Sequence, residues 1–229
     1  MLLEICAYTI ASCRLAAEAG ADRVELCADP AQGGTTPSLG LVRAAMELGI
    51  PVFPMVRPRG GDFVYNTDEM DVMHRELHVF RELGCPGVVF GMLRADGSIH
   101  RDRMRDAVER AGPMAVTCHK AFDQVPDAEA ALETLVDAGC ARVLTSGLAA
   151  DALTGAPLIA RLVKQAAGRI VVMAGGGVRS GNIRQLMEAT GAQEFHSSAI
   201  MAGSNGHDAE AREVEHLIQA LRKAGPTRH

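Results

Sequence analysis

Seven times along this chain a glycine closes a stretch of helical pattern and a β-rich run begins within a few residues. In order these junctions read Gly20-Ala-Asp-Arg-Val-Glu-Leu, Gly49-Ile-Pro-Val-Phe-Pro-Met-Val, Gly84-Cys-Pro-Gly-Val-Val-Phe and Gly112-Pro-Met-Ala-Val-Thr, then Gly139-Cys-Ala-Arg-Val-Leu-Thr, Gly168-Arg-Ile-Val-Val-Met and Gly191-Ala-Gln-Glu-Phe-His. Glycine ends helices because it accepts the left-handed conformation that other residues resist. The junctions recur about every thirty residues, the size of one βαβ step. With the strand that starts at Leu2 they predict eight strands, at 2–6, 22–27, 52–57, 87–91, 114–119, 141–146, 170–174 and 193–197. The helices between and after them fall at 9–19, 38–48, 68–83, 101–111, 127–138, 154–167, 180–190 and 209–223.

Strands alternating with helices give an α/β protein with a parallel sheet. Eight similar units close most naturally into a (β/α)8 TIM barrel, a single domain over residues 1–229. A doubly wound open sheet would carry a glycine-rich fingerprint after the first strand; Cys6-Ala-Tyr-Thr is not one, so no nucleotide cofactor is expected. Apolar residues make up 48% of the chain, enough for a barrel core. The net charge of −5 is spread without acidic or basic blocks, which argues against nucleic-acid and membrane-surface partners. No apolar run reaches membrane-spanning length, and the start lacks the basic segment of a signal peptide. The six cysteines form no CxxC motif, so they read as reduced thiols of a cytoplasmic protein.

Barrel chemistry sits at the C-terminal strand ends, and alternation decides which side chains point inward. On the first strand Glu4 and Cys6 share a face; on the second Arg23, Glu25 and Cys27 do. Glu followed by Cys thus appears on neighbouring strands at matching heights. The third strand sends in Phe53, Met55 and Arg57, the fifth Thr117 and His119, the eighth Glu194, His196 and Ser198. The mouth therefore collects Glu4, Glu25, Arg57, His119 and His196 as candidate catalytic groups. Any one acid here can instead be a structural partner of Arg23 or Arg57, and buried cysteine is often a small hydrophobe. Lys120 is one of three lysines; alternation turns it away from the axis when His119 points in, which argues against an imine-forming role.

Loops add anion chemistry. Gly175-Gly176-Gly177 follows the seventh strand and Ser197-Ser198 ends the eighth, where barrels often bind phosphate on backbone N–H groups. The loop after the third strand, Arg57-Pro-Arg-Gly-Gly-Asp-Phe-Val-Tyr65, offers Arg59 as a further anion contact and Phe63 and Tyr65 as a lid. The loop Gly33-Gly-Thr-Thr-Pro-Ser38 reads as a turn and helix start with no required function. His74 and His78 have helical metal spacing but belong to an outer helix face.

Taken together, Glu4-Ile-Cys6, Gly20 to Cys27, Gly33 to Ser38, Arg57 to Phe63, Asp96-Gly97, Thr117 to Asp123, Arg142 to Gly147, Gly175 to Val178 and Phe195 to Ser198 resemble the CutC copper-homeostasis family from Leu3 to about Ala199. The resemblance implies a cytosolic barrel that assembles with copies of itself and takes part in copper homeostasis. Cys6 and Cys27 match the family positions proposed to hold Cu(I), and soft thiolates suit that ion. One departure is the run Met201 to His207, shorter than its counterpart in the family.

Two functions follow. One is a copper-binding protein that holds Cu(I) through Cys6 and Cys27. The other is an isomerase, epimerase or lyase acting on a small anionic sugar or carbonyl compound. In it, Glu4 or Glu25 is base, His119 or His196 acid or polariser, and Arg57, Arg59 and the glycine loop hold the charged end. A divalent ion held by the glutamates and histidines is a variant of the second.

Overall fold

The computed structural model describes residues 1–200 and 208–224; the short run from Met201 to His207 lies outside them. Eight parallel strands form one sheet: β1 Leu2–Ala7, β2 Arg23–Leu26, β3 Val52–Pro54, β4 Gly87–Phe90, β5 Ala115–Cys118, β6 Arg142–Thr145, β7 Val171–Gly175 and β8 Glu194–Ser197. The order is β3-β2-β1-β8-β7-β6-β5-β4. A bridge between Met55 and Val89, with the Val56 N–H donating to the Val89 carbonyl at 2.8 Å, joins the two ends into a barrel. Eight helices surround it: α1 Ile10–Ala19, α2 Leu39–Met46, α3 Thr67–Glu82, α4 Arg101–Ala111, α5 Ala128–Ala138, α6 Ala156–Ala166, α7 Ile183–Thr190 and α8 Ala211–Ala224. Among the described residues no helix is long and apolar enough to cross a membrane.

The junction glycines explain the regularity. All seven adopt positive φ, between 61° and 86°. At Gly20 and Gly139 the N–H also donates back to the last helical carbonyls and closes the helix end. β3 is shorter than its sequence pattern because Pro54 supplies no N–H to the ladder. Beyond it, the Arg57 N–H turns to the Thr36 hydroxyl at 2.9 Å.

Alternation divides the apolar residues into two cores. Leu3, Ile5, Val24, Val52, Val88 and Phe195 face outward and pack on helix residues such as Val42, Leu77, Leu132, Ile159 and Leu217. Cys6, Cys27, Phe53, Met55 and Val89 form a separate cluster inside the barrel. The outer core carries most of the hydrophobic stabilisation, at about 1.5–3 kcal/mol per large side chain buried. The inner space is left for polar groups.

Candidate functional site

The strand register sets the inner layers. Glu4 lies opposite Arg23 and His196, and Cys6 lies opposite Glu25. The sequence placed the two Glu–Cys pairs at matching heights; the stagger between β1 and β2 shifts them by one inward position. The result is a floor and a mouth.

On the floor, Arg23 is fixed by Glu4 and, at 2.6 Å, by Glu194, which also accepts from Arg142 at 2.8 Å. Both guanidinium groups lie over the Phe53 ring, 5.2 and 5.4 Å from its centroid. Glu4 is wholly buried and does not line the cavity above. It is therefore no base facing a ligand, as the sequence suggested, but a partner of Arg23 and of His196, whose Nδ1 it meets at 2.7 Å. Burial opposes its ionisation, yet the hydrogen bond and charge of His196 and the charge of Arg23 hold its pKa at about 2.

The mouth contains a cavity of about 250 Å³. Cys6, Glu25, Arg57, His119 and His196 all line it, so five of the residues drawn from distant strands do meet. Cys6, Glu25 and His196 bring a sulfur, a carboxylate oxygen and a ring nitrogen within 4.8 Å of one another. The Nε2 of His196 faces a Glu25 oxygen at 3.7 Å. Cys27 does not line the cavity; it is buried under Gly34, with its thiol hydrogen-bonded to Cys6.

The electrostatics of this cluster are one-sided. The hydrogen bond from Cys27 outweighs burial and, with His196, holds the Cys6 thiol well below the usual range. Cys27, as the donor to Cys6 and by its burial, is pushed well above it. Burial works against a charged His196, but Glu25, Cys6 and Glu4 together raise its pKa well above the ordinary value. Burial and then the Cys6 charge push the pKa of Glu25 well above the carboxylate range. The cluster thus favours the ionised form of Cys6 and the protonated forms of His196 and Glu25.

His119 faces this cluster from β5. Its Nδ1 accepts the Ala121 N–H at 3.1 Å and caps a 3-10 turn at Lys120–Gln124. Burial first, then Arg57, lowers its pKa to about 3. The ring is neutral, so the proton sits on Nε2, which has no partner among the described protein atoms. Phe63 packs on it at 4.8 Å between centroids and lines the cavity. Tyr65 is buried beside it and does not.

Several assigned residues lie elsewhere. The Arg59 guanidinium is held by Glu69 at 2.5 Å and Asp62 at 3.0 Å, away from the cavity. Glu69 is also the reciprocal partner in the Asn66 capping box of α3. The loop Gly175-Gly176-Gly177 packs on the segment after β6, where the Gly176 carbonyl accepts the Ala152 N–H at 2.9 Å. Ser197 donates to the Val178 carbonyl at 2.7 Å, and both Ser197 and Ser198 accept from Arg179. Arg179 is held here by the Val178 and Ile200 carbonyls, and none of the five glycine and serine residues lines the cavity.

Sequence reasoning also missed some. Lys120 lines the cavity, because the 3-10 turn ends the alternation that sent it outward. Tyr8 continues the inward series Glu4, Cys6, and Leu144 continues Arg142; both were legible by the same rule. Gly33 lines the cavity, and carbonyls of its loop, Gln32 at 2.6 Å and Gly34 at 2.7 Å, hold Arg57 in place. That loop has a structural task the sequence reading did not give it.

The closed ring of eight parallel strands with helices around it defines a (β/α)8 barrel, here with a polar, buried cluster at its mouth. More narrowly, the CutC family description matches residues 1–201, and the chain belongs to the CutC family. It is 48% identical to a family protein CutC from Chromobacterium violaceum over 97% of each chain. It is 46% identical to the copper homeostasis protein cutC homolog of Homo sapiens, covering 90% of this chain and 76% of the human one. A solved structure of a copper homeostasis protein CutC from Streptococcus agalactiae superposes with a TM-score of 0.82 at 33% identity, over 86% of this chain and 98% of that one.

Proposed function

We propose that the chain binds Cu(I) as cargo at the barrel mouth, through the Cys6 sulfur and His196 Nε2, with the Cys27 sulfur next to Cys6. The observation that carries this reading is the pairing of His196 Nδ1 with Glu4 at 2.7 Å. It leaves Nε2 for the cluster with Cys6 and Glu25, and a carboxylate behind a histidine is the usual support of a metal ligand. Thiolate and imidazole are soft enough for Cu(I). An incoming ion displaces the Nε2 proton, so uptake releases a proton. Relatives named for copper homeostasis support the same reading. Competition with a chromophoric Cu(I) chelator tests it: Cys6→Ser should weaken binding at least a hundredfold and Cys27→Ser at least tenfold. Wild-type affinity in both variants refutes it.

A second reading is favoured by the size of the cavity, which exceeds what one ion fills, and by the neutral His119 that lines it together with Glu25. In that reading the barrel is an acid–base enzyme of the isomerase, epimerase or lyase type. Nε2–H of His119 polarises a carbonyl while a group on β1 or β2 moves the proton.

A further inference from the structure

Arg57 is 5% exposed, yet among the described residues no carboxylate lies within 4 Å of it. Its two terminal nitrogens are fixed by carbonyls, Nη1 by Gln32 and Gly34 and Nη2 by Gly61 at 2.9 Å. Its Nε is buried without a partner. Carbonyls orient a guanidinium but do not neutralise it, and a buried unpaired charge is costly. His119 is 4% exposed, and it too has a buried donor, Nε2, with no acceptor in the protein. Its other ring edge is turned back onto Ala121. Both residues line the same cavity, and Lys120 lines it as well, with its amine beside Gly176. Two buried donors without acceptors thus border one space, together with the exposed amine of Lys120, which lies 3.8 Å from Asp123, and native proteins rarely leave buried donors unmet.

We propose that this cavity takes a small organic oxyanion, a short carboxylate or phosphate ester, whose charged end is held by Arg57, His119 and Lys120. Met55, Phe63 and Leu144 supply apolar wall for its carbon body. The proposal names the substrate class of the second reading, on which it rests, and is independent of copper. It keeps Arg57 from the anion site that the sequence suggests, leaves out Arg59, and adds His119 and Lys120, whose amine lies beside Gly176.

The test uses the purified full chain, stripped of metal with a chelator, and titration calorimetry with phosphoglycolate, pyruvate and inorganic phosphate. One of the two organic anions should bind, phosphoglycolate if the site takes phosphate esters and pyruvate if it takes carboxylates. His119→Asn keeps an acceptor for the Ala121 N–H but removes the Nε2 donor, so the turn is preserved. It should weaken binding tenfold or more, as expected for loss of a hydrogen bond to a charged group. Lys120→Met should weaken it about threefold, with a shallower salt dependence. No binding of either organic anion at millimolar concentration, binding of inorganic phosphate alone, or unchanged affinity in His119→Asn overturns the proposal. Cu(I) binding by His119→Asn should stay at the wild-type level, which separates this site from the metal. Anion binding with no turnover of any isomerisable analogue would sink the enzymatic reading and leave the binding site standing.

Discussion

In the lower half of the barrel interior Arg23 is held between Glu4 and Glu194, and Arg142 shares Glu194 at 2.8 Å. In the upper half, one layer of side chains away, Glu25, Arg57 and His119 each leave a buried polar atom without a protein partner. The two regions use the same residue types at similar burial. What differs is satisfaction: the acids of the floor are answered by arginines, although Arg142 Nη1 and the Thr117 hydroxyl in register with it lack partners, whereas the unpartnered atoms of the mouth belong to residues that line a cavity. Charge inside a barrel is therefore not by itself a mark of function. The mark is a buried donor or acceptor, fixed in place by other bonds, that no side chain answers.

The strongest way to break this comparison is to unpair the floor. Glu194→Ala leaves Arg23 with one of its two acids and Arg142 with none. Removing one partner of a buried ion pair strands the other charge, and the loss should be about 3 kcal/mol. Urea denaturation at pH 7 measures it from the shift in midpoint at constant slope. A change below about 1 kcal/mol would mean the floor is as open to water as the mouth, and the contrast would collapse.

The next test uses pH. His119 has a folded pKa of about 3, below the usual histidine value of 6.5, because it is buried beside Arg57. The unfolded chain therefore takes up its proton first. Stability from this residue is complete above pH 6.5 and falls as pH drops toward 3. Between pH 7 and pH 5 the loss should be about 2 kcal/mol, and His119→Asn should flatten that part of the profile. An unchanged slope in the variant would show that His119 is charged or solvated in the folded protein.

Much of this was written in the sequence. The Gly20, Gly49 and Gly84 type of junction gives the eightfold unit, and alternation gives the inward faces of β1, β2, β3 and β5. Those two regularities bring Cys6, Glu25, Arg57, His119 and His196 to one cavity. What alternation does not carry is the relative height of neighbouring strands. That depends on barrel stagger, which placed Cys6 opposite Glu25 and sank Glu4 to the floor. Nor does it carry past a strand end, so Lys120 was misplaced once His119 began a turn. For Arg59 a local signal was available. Asn66-Thr-Asp-Glu69 is a visible capping box, and its acid sits within reach of the arginine. The glycine loop was read by position alone, and the cation that occupies its neighbourhood, Arg179, follows only two residues later.

The smallest expected effect sharpens the comparison most. Glu25 is buried more deeply than Glu194, and burial and the Cys6 charge raise its pKa well above the carboxylate range. Glutamine has nearly the shape of that neutral acid. Glu25→Gln should therefore change stability by less than about 1 kcal/mol at pH 7, against about 3 kcal/mol for the floor acid. Cu(I) affinity should stay within a few-fold of wild type, since the ion's soft donors are Cys6 and His196. Were Glu25 instead an ionised partner of His196, its loss would leave the imidazolium with Glu4 alone on the carboxylate side and approach the cost of Glu194→Ala. Equal losses in the two variants would mean that the mouth, like the floor, is held together by its own charges, and that its unanswered atoms are not waiting for a ligand.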